Sequence, residues 1–598
     1  MLPVENRWSV TEVPAEVERE QLPALARALG IPPLVARLLW LRGVRDVTSG
    51  RAFLVPRLAD LESPDVLPDI DVAAGRIASA VKRGERIAIY GDYDVDGMTG
   101  TAVLVRFLGL AGGTVSWAIP DRDADGYGLG PAAVDRFAEA GAGLIVTVDN
   151  GVASHAAVDR ARARGLDVVV TDHHLPGADL PQALAIVNPE RRDAGGAGRG
   201  LCGCALAFKT AWAVADRLRA VASPERLAGF KAFLRDAVGL VALATISDVV
   251  PLRGENRILV AAGLGALRSS EHPGVRALLE TCRVGALPLT SEDVAFRIAP
   301  RINAAGRLSK PDLVIDLLTA EDPTRAHRFA RCLADANAER RRIEKRVLEV
   351  AADQAEAVLG GGDRQSLVVH GEGWHRGVIG IVAARLVDRH HRPTVVIGFE
   401  GGRGRGSCRT PAPFDLHQAL GVCGAHLSRY GGHAAAAGLE IDQGEIGRFA
   451  DAFEHAVREQ IGSAAPKRTL SIDAETTPND WSLEAVESIA RLQPFGQGNP
   501  TPLFLIRGAQ VAGRVRLMGQ DSTHLTFALH QTGGAIRVVG FRKAALHDRV
   551  ASGGLLDLVV EPTINEWRGR RTAELRLVDL REAQGARAAY CGGPPPSK

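Results

Sequence analysis

The chain lacks the spacings and runs that would place it in several large protein classes. Its seven cysteines are scattered and odd in number. Cys202 and Cys204 form a CxC, but no two cysteines are spaced CxxC. That argues against a structural zinc site and a disulfide framework, and for a reducing cytoplasm. No run of about 18 apolar residues is present, so no membrane span and no membrane partner are expected. The N-terminal MLPVENRWSVTEV has neither the basic nor the apolar region of a signal peptide. Net charge is only +2 over 598 residues. Any contact with nucleic acid would then have to come from local basic patches, not from a generally basic surface.

What is present is ordinary globular material, with 46% apolar and 24% charged residues, and it contains one anomaly. In RIAIYGDYDVDGMTGTAVLV an apolar run ends in Asp92, Asp94 and Asp96, and a helical apolar pattern follows. Like charges this close repel, and burying them is costly unless a positive charge sits among them.

The length suggests about four domains of roughly 150 residues. Residues 1–68 read as a mostly helical, proline-punctuated lead-in. From residue 69 to 320, strands alternate with helices of about ten residues, the pattern of βαβ units on a mostly parallel sheet. A charged helix over 321–363 connects to a second α/β unit at 364–462. Short alternating runs over 463–585 read as a small β-barrel of OB type. Residues 586–598, with the ending CGGPPPSK, read as a disordered tail. The fold class is α/β: two α/β lobes joined by a long helix, with a C-terminal OB-like barrel.

Four apolar runs deliver polar groups at the same end: DYDVDG at 92–97, VDNG at 148–151, TDHH at 171–174 and ISDVV at 246–250. A single aspartate after a strand is commonly a helix cap. Four such runs with paired histidines instead suit a site for Mg²⁺ or Mn²⁺, zinc being less favoured without thiolates. Two divalent cations would reconcile the aspartates with one another, because about +4 of charge would lie between them.

In this order the four motifs resemble the DHH phosphoesterase superfamily. RINAAGR, GSCRT and GGHAAAAG resemble its DHHA1 second domain, and PFGQGNPTPLF with NEWRGRRTAELRLVD resemble the C-terminal region of the bacterial RecJ family. The resemblance covers roughly residues 70 to 580 and includes the domain order. It implies 5′→3′ hydrolysis of single-stranded DNA to 5′-mononucleotides in DNA repair and recombination. It further implies two Mn²⁺ or Mg²⁺ ions. Carried over by position, Asp94, Asp96, Asp149, His173 and Asp248 match the metal ligands. Asp149 would bridge both ions, Asp96, His173 and Asp248 would complete one shell, and Asp94 would hold the other ion. His174 would touch the scissile phosphate or polarise the nucleophile, and Asp92 would be an auxiliary acid, so that His174, Asp92 and Asp149 form the catalytic set. One departure stands out. Several DHH families carry histidine four residues before the first liganding aspartate, where this chain has Tyr90, so the Asp94-side ion is expected to be held more loosely or only with substrate.

Substrate-gripping candidates come partly from local residue patterns and partly from the same resemblance, the other readings being a solvated arginine for Arg122 and an ordinary charged face for RIAPRINAAGRL. Arg122 lies in IPDRDADGYGL after a strand. Asn303 and Arg307 lie in RINAAGR, near Arg297 and Arg301. Ser407 and Arg409 match a 5′-phosphate pocket, and GGRGRGSCRT crowds the glycine and arginine that let a backbone approach and grip an anion. Gly431, Gly432 and His433 would face the phosphate from the opposite wall, the other reading being a helix start with a small-residue face. A helix beginning near Gly377 would offer N–H groups to an anion. Trp374 and His375 read equally as a base stack or as core packing. Arg340, Arg341, Arg342, Lys345 and Arg346 read as a solvated face or a strand-threading groove. Trp567 beside Arg568, Arg570 and Arg571 reads as a single-strand platform or as a tryptophan packed at a turn.

A short-oligonucleotide phosphodiesterase and a pyrophosphatase are the enzymatic alternatives, and the long connector and extra barrel argue against both. A catalytically inactive scaffold at a replication fork is the non-enzymatic one, and the nearly complete donor set argues against it. The implied partners are single-stranded DNA with a 5′ end, a single-strand-binding protein and a helicase, with the chain acting as a monomer.

Overall fold

The computed structural model describes residues 6–121, 126–284, 288–462 and 467–583. The expected tail at 586–598 lies outside the described residues, as does Arg122. Among the described residues no single helix is long and apolar enough to cross a membrane.

The chain forms two compact units. The first contains Glu62–Val250 and Ala262–Arg468. Its leading lobe is built on five parallel strands in the order Thr114–Ala118, Arg86–Tyr90, Ala142–Val148, Asp167–Thr171, Ala185–Val187. Apart from the half-exposed edge strand Thr114–Ala118, the strands are apolar and buried because helices cover a parallel sheet on both faces. The order decides where a ligand can sit. From Arg86–Tyr90 the chain moves outward on one side to Thr114–Ala118, then returns to build outward on the other side from Ala142–Val148. Between those two central strands the crossovers diverge and leave a crevice at the carboxyl ends. Asp92 and Asp94 follow one of the strands and Asp149 the other.

Helices Val95–Leu110, Gly203–Leu218 and Pro224–Ser247 pack against one another beneath this crevice. The first two, and the third over residues 237–245, are buried almost all round, which explains why they carry alanine and glycine there where a surface helix would carry charge.

The 38-residue helix Pro323–Gly360 leads to the second lobe. There five strands lie in the order Arg429–Gly432, Ala436–Asp442, Arg403–Arg409, Thr394–Glu400, Leu367–Glu372, antiparallel except for the last pair. Helix Arg376–His390 buries Val378, Ile379, Val382 and Leu386 in a core shared with Val347 and Ala351 of the long helix.

The second unit gathers Arg7–Leu61, Pro251–Ala261 and the chain from Thr469 onward. Strand Arg7–Val10 pairs in parallel with Thr469–Ile472. The barrel sheet has seven strands, in the order Ala474–Thr476, Phe504–Ala509, Leu556–Trp567, Arg570–Glu582, Gly534–Gly540, His524–Gln531, Val511–Met518. Leu25, Val35, Leu38 and Leu39 of the early helices share one core with Trp481, Phe504, Leu558 and Leu575. Buried Arg42 ties the two ends of the chain together. Its Nε donates to Asn499 Oδ1 at 2.6 Å and its Nη2 to the Pro500 carbonyl at 2.6 Å. Asn499 in turn donates to the carbonyls of Leu492 and Pro494. The PFGQGNP motif is therefore a hydrogen-bonded turn anchored by buried Asn499. The two α/β lobes, the long helix and the OB-type barrel agree with the fold class read from the sequence.

Candidate metal centre

Asp94 caps helix Val95–Leu110, its Oδ1 accepting the Gly97 N–H at 3.1 Å. That cap turns the chain so that Asp96, on the first turn, points at the start of another helix. The Asp96 carboxylate accepts the N–H of Gly203 at 2.6 Å and of Cys204 at 2.7 Å, the first donors of Gly203–Leu218. A helix N-terminus with unsatisfied N–H groups is a natural seat for a carboxylate. Gly203 is required there: a Cβ on it would lie 2.5 Å from Asp149 Cβ. Asp149 itself stands at φ 63°, in the left-handed region that bends the chain over the sheet edge. Asp248 ends Pro224–Ser247, and Val249 after it has φ 59°, a strained conformation for a β-branched residue.

These turns bring seven residues from four segments into one cluster. Three triads place their donor atoms within 4.8 Å of one another: Asp92, Asp94 and Asp149; Asp96, His173 and Asp248; Asp149, His173 and His174. His173 Nε2 is 3.0 Å from Asp149 Oδ1 and 3.7 Å from both Asp96 Oδ2 and Asp248 Oδ2. Every residue expected as a metal ligand thus lies in the cluster. Asp92, expected as an auxiliary acid, lies in the same cluster beside Asp94 and Asp149. Tyr90 does not. It is buried in the apolar core with its hydroxyl 3.4 Å from the Gly128 carbonyl and its ring edge-on to Phe137. The third acid of the first triad is Asp92.

Burial and like charge oppose ionisation of these acids while no cation is bound. Burial, then Asp96, Asp94, Asp92 and Asp172, hold the Asp149 carboxyl far above the usual range. Burial and then Asp96 raise Asp94. Burial, then Asp96 and Asp94, push Asp248 up to about 8. Asp149 Oδ1 is buried and accepts no hydrogen bond from any described residue. An orphaned carboxylate oxygen among like charges is the signature of a site built for cations. The donors are carboxylate and imidazole, with the nearby thiols of Cys202 and Cys204 buried and held protonated by burial. The set fits Mn²⁺ or Mg²⁺.

Asp172 was missed as a working residue, although it stands in the quoted TDHH. It is 1% exposed. Its Oδ1 faces His174 Nδ1 at 2.8 Å and accepts the His174 N–H at 3.1 Å, while Oδ2 accepts the Val152 N–H at 2.9 Å. Burial lowers the His174 pKa, but Asp172 and then Asp248 and Asp92 outweigh it and bring it to about 8. Tyr127 was missed too. Its hydroxyl donates to the Asp149 carbonyl at 3.2 Å and lies 3.1 Å from His174 Nδ1. Its only sequence signal is an aromatic residue among glycines.

The substrate-gripping candidates separate. Arg307 Nη1 donates to the Gly377 carbonyl at 3.0 Å, so helix Ala299–Arg307 reaches helix Arg376–His390. Asn303 lies partly exposed on that same helix. Arg297 is bonded to Asp293 at 2.9 Å. Ser407 and Arg409 lie on a central strand, with Arg409 Nη1 donating to Ser407 Oγ at 3.2 Å beside Gly380. Gly431, Gly432 and His433 are exposed on a hairpin between Arg429–Gly432 and Ala436–Asp442, not at a helix start. Trp374 packs over Gly371 against the second-lobe core, and His375 Nδ1 caps its helix by accepting the Gly377 N–H at 3.0 Å. Packing therefore accounts for both. Arg340 turns inward, bonded to Glu344 and to Asn337 Oδ1. Trp567 is 70% exposed at a hairpin tip.

A cluster of acids and imidazoles at the switch point of a parallel sheet, followed by a glycine-rich second lobe, defines a DHH-type phosphoesterase. The chain matches the DHH family, N-terminal domain, over residues 86–245, the DHHA1 domain over 363–459 and the RecJ OB domain over 472–579. It is 36% identical to the single-stranded-DNA-specific exonuclease RecJ of Dickeya dadantii, over 92% of this chain and 96% of that protein. It superposes on the Mn²⁺ complex of RecJ from Thermus thermophilus with a TM-score of 0.80 at 32% identity, covering 97% of this chain and 80% of that one. For the Mg²⁺ complex of RecJ from the same organism the values are 0.74, 31%, 97% and 79%. The chain belongs to the RecJ family.

Proposed function

We propose that this protein is a metal-dependent exonuclease that degrades single-stranded DNA from the 5′ end to 5′-mononucleotides, acting in DNA repair and recombination. The observation that carries the reading is the cluster of five aspartates and two histidines at the switch point of the parallel sheet, in a chain of this family.

Asp92, Asp94 and Asp149 would hold one divalent cation and Asp96, His173 and Asp248 the other, with Asp149 facing both. When bound, such ions lower the pKa of water and neutralise charge on phosphate oxygens. The protein's own part is positioning. Two helix N–H groups fix Asp96, so its orientation is set before any ion arrives. Asp172 fixes His174 through both its backbone and its ring. Its ring is 43% exposed, so a protonated His174 would donate to a non-bridging phosphate oxygen or to the departing 3′ oxygen.

Ser407 and Arg409 are the proposed seat of the 5′-phosphate, with Arg122, Asn303, Arg307, Gly432 and His433 as further contacts and Trp567 as a stacking residue on the barrel. A seated 5′ end gives the reaction its direction, because the cut is then measured from that end. A single-strand-binding protein and a helicase are the proposed protein partners. The test is digestion of end-labelled oligonucleotides with Mn²⁺ or Mg²⁺. A 5′ label released first as a mononucleotide supports the reading, and release of a 3′ label first overturns the polarity.

A further inference from the structure

Phe541 is 50% exposed on the barrel, immediately after strand Gly534–Gly540. A single exposed phenylalanine is unremarked on most surfaces. This one is buttressed. The His524 ring meets it edge-on, at 5.5 Å between centroids and 71° between planes. His524 is itself fixed, since its Nδ1 accepts the Arg542 N–H at 3.1 Å and lies 3.2 Å from the Thr523 hydroxyl. The Arg576 guanidinium lies over the Phe541 ring at 5.7 Å. Arg542, at φ 56°, holds the turn in the left-handed conformation.

The charges around the ring are mainly positive. Arg542 is exposed and Lys543 partly so, and Arg516 is exposed on the edge strand, opposite Thr526. The facing acids are Glu561, 3.8 Å from Arg576, and Glu574, 3.3 Å from Arg537. Both pair with arginine, and Asp521 stands exposed in the turn before His524, so Arg516, Arg542 and Lys543 outnumber the one further acid. A rigid aromatic face flanked by cations fits a nucleobase and its phosphate. Neither buttressing residue is needed to bury the ring, because it is not buried.

We propose that Phe541, held by His524 and Arg576, is a stacking platform for one base of a single strand, with Arg542 beside it for the backbone phosphate. This rests on the functional reading above and adds a second aromatic contact to Trp567. The strand Arg570–Glu582 links the two: it starts at the Trp567 hairpin and carries Arg576 six residues on, or about 20 Å in extended chain.

The test is fluorescence anisotropy with a labelled oligo-dT and EDTA present, so that no strand is cut. F541A is expected to weaken binding about tenfold, within what one base stacked on an aromatic ring contributes, and F541W to restore it. The slope of log affinity against log salt should be unchanged in F541A and shallower by about 0.7 in R542A, the share of one phosphate on a single strand. H524A, which removes the buttress, should weaken binding in the same direction as F541A. Equal binding by wild type, F541A and H524A, with unchanged thermal midpoints, overturns the platform. Failure of the wild-type protein to bind oligo-dT overturns the functional reading itself, and the platform with it.

Discussion

His173 Nε2 stands 3.0 Å from Asp149 Oδ1, on an oxygen that accepts no hydrogen bond from the described residues. Two neighbouring strands, each ending in a sharp turn, deliver these groups to each other. The contact joins the two acid triads, because Asp149 belongs to one and His173 to the other.

The first consequence concerns D149N. The Asp149 carboxyl is held above its ordinary range in the fold, so at neutral pH its ionised form disfavours folding until cations arrive. Removing the charge should stabilise the metal-free protein by about 1–3 kcal/mol and abolish most of the stabilisation by Mn²⁺. Thermal unfolding with and without metal reads both. A metal-free D149N less stable than wild type would contradict the electrostatic origin of the cluster.

Gly203 sits where a side chain would strike Asp149 and push apart the helix start that holds Asp96. G203A should cost about 1–3 kcal/mol in unfolding free energy. It should also weaken metal binding ~10-fold or more, as loss of support behind a ligand does. Calorimetric titration with Mn²⁺ measures the second effect, and wild-type affinity in G203A would refute it.

A pH effect independent of the metal centre follows from His272. Its Nδ1 accepts the Gly274 N–H at 3.2 Å and caps helix Pro273–Thr281, which requires a neutral ring. Burial, then nearby Arg106, lower its pKa from 6.5 to about 4. A base depressed in the folded state gives stability that is complete above pH 6.5 and lost as pH falls toward 4. After allowance for partial exposure the loss is about 2 kcal/mol. H272N keeps the cap without the titration. Urea unfolding between pH 7 and 4 should show a flatter acid limb for H272N, and identical limbs would remove His272 from the explanation.

Arg42 is buried with Asn499, Pro500 and Asp473 as partners. R42A leaves Asp473 and the Asn499 turn without their cation and should destabilise the second unit by about 3–5 kcal/mol. Denaturant unfolding followed by tryptophan fluorescence, with Trp481 in the affected core, reports the shift. A change within error would mean the arginine is dispensable.

The chemistry was legible in the sequence wherever it sat beside a strand end. The apolar run IAIY and its trailing acids announce a sheet edge, and four such edges announce a cluster. Asp92 was harder to place, because its nearness to Asp94 and Asp149 depends on the local turn and not on spacing. Trp374 reads equally as a base stack or as core, and Arg340 as part of a solvated face or a groove; the packing of Trp374 over Gly371 and the burial of Arg340 with Glu344 depend on tertiary surroundings that spacing does not show. The pairing of Arg7–Val10 with Thr469–Ile472 has no local signal at all, since a parallel pair so distant in sequence is set by the core it closes. Asn499 shows the converse: a motif conspicuous in sequence works as a turn anchored by one buried side chain.

The central claim is that residues spread from position 92 to 248 enclose two divalent cations. Anomalous diffraction from a Mn²⁺-soaked crystal tests it most directly. Two peaks are predicted, one among Asp92, Asp94 and Asp149 and one among Asp96, His173 and Asp248. A single peak at full occupancy, or peaks away from these carboxylates, would contradict it.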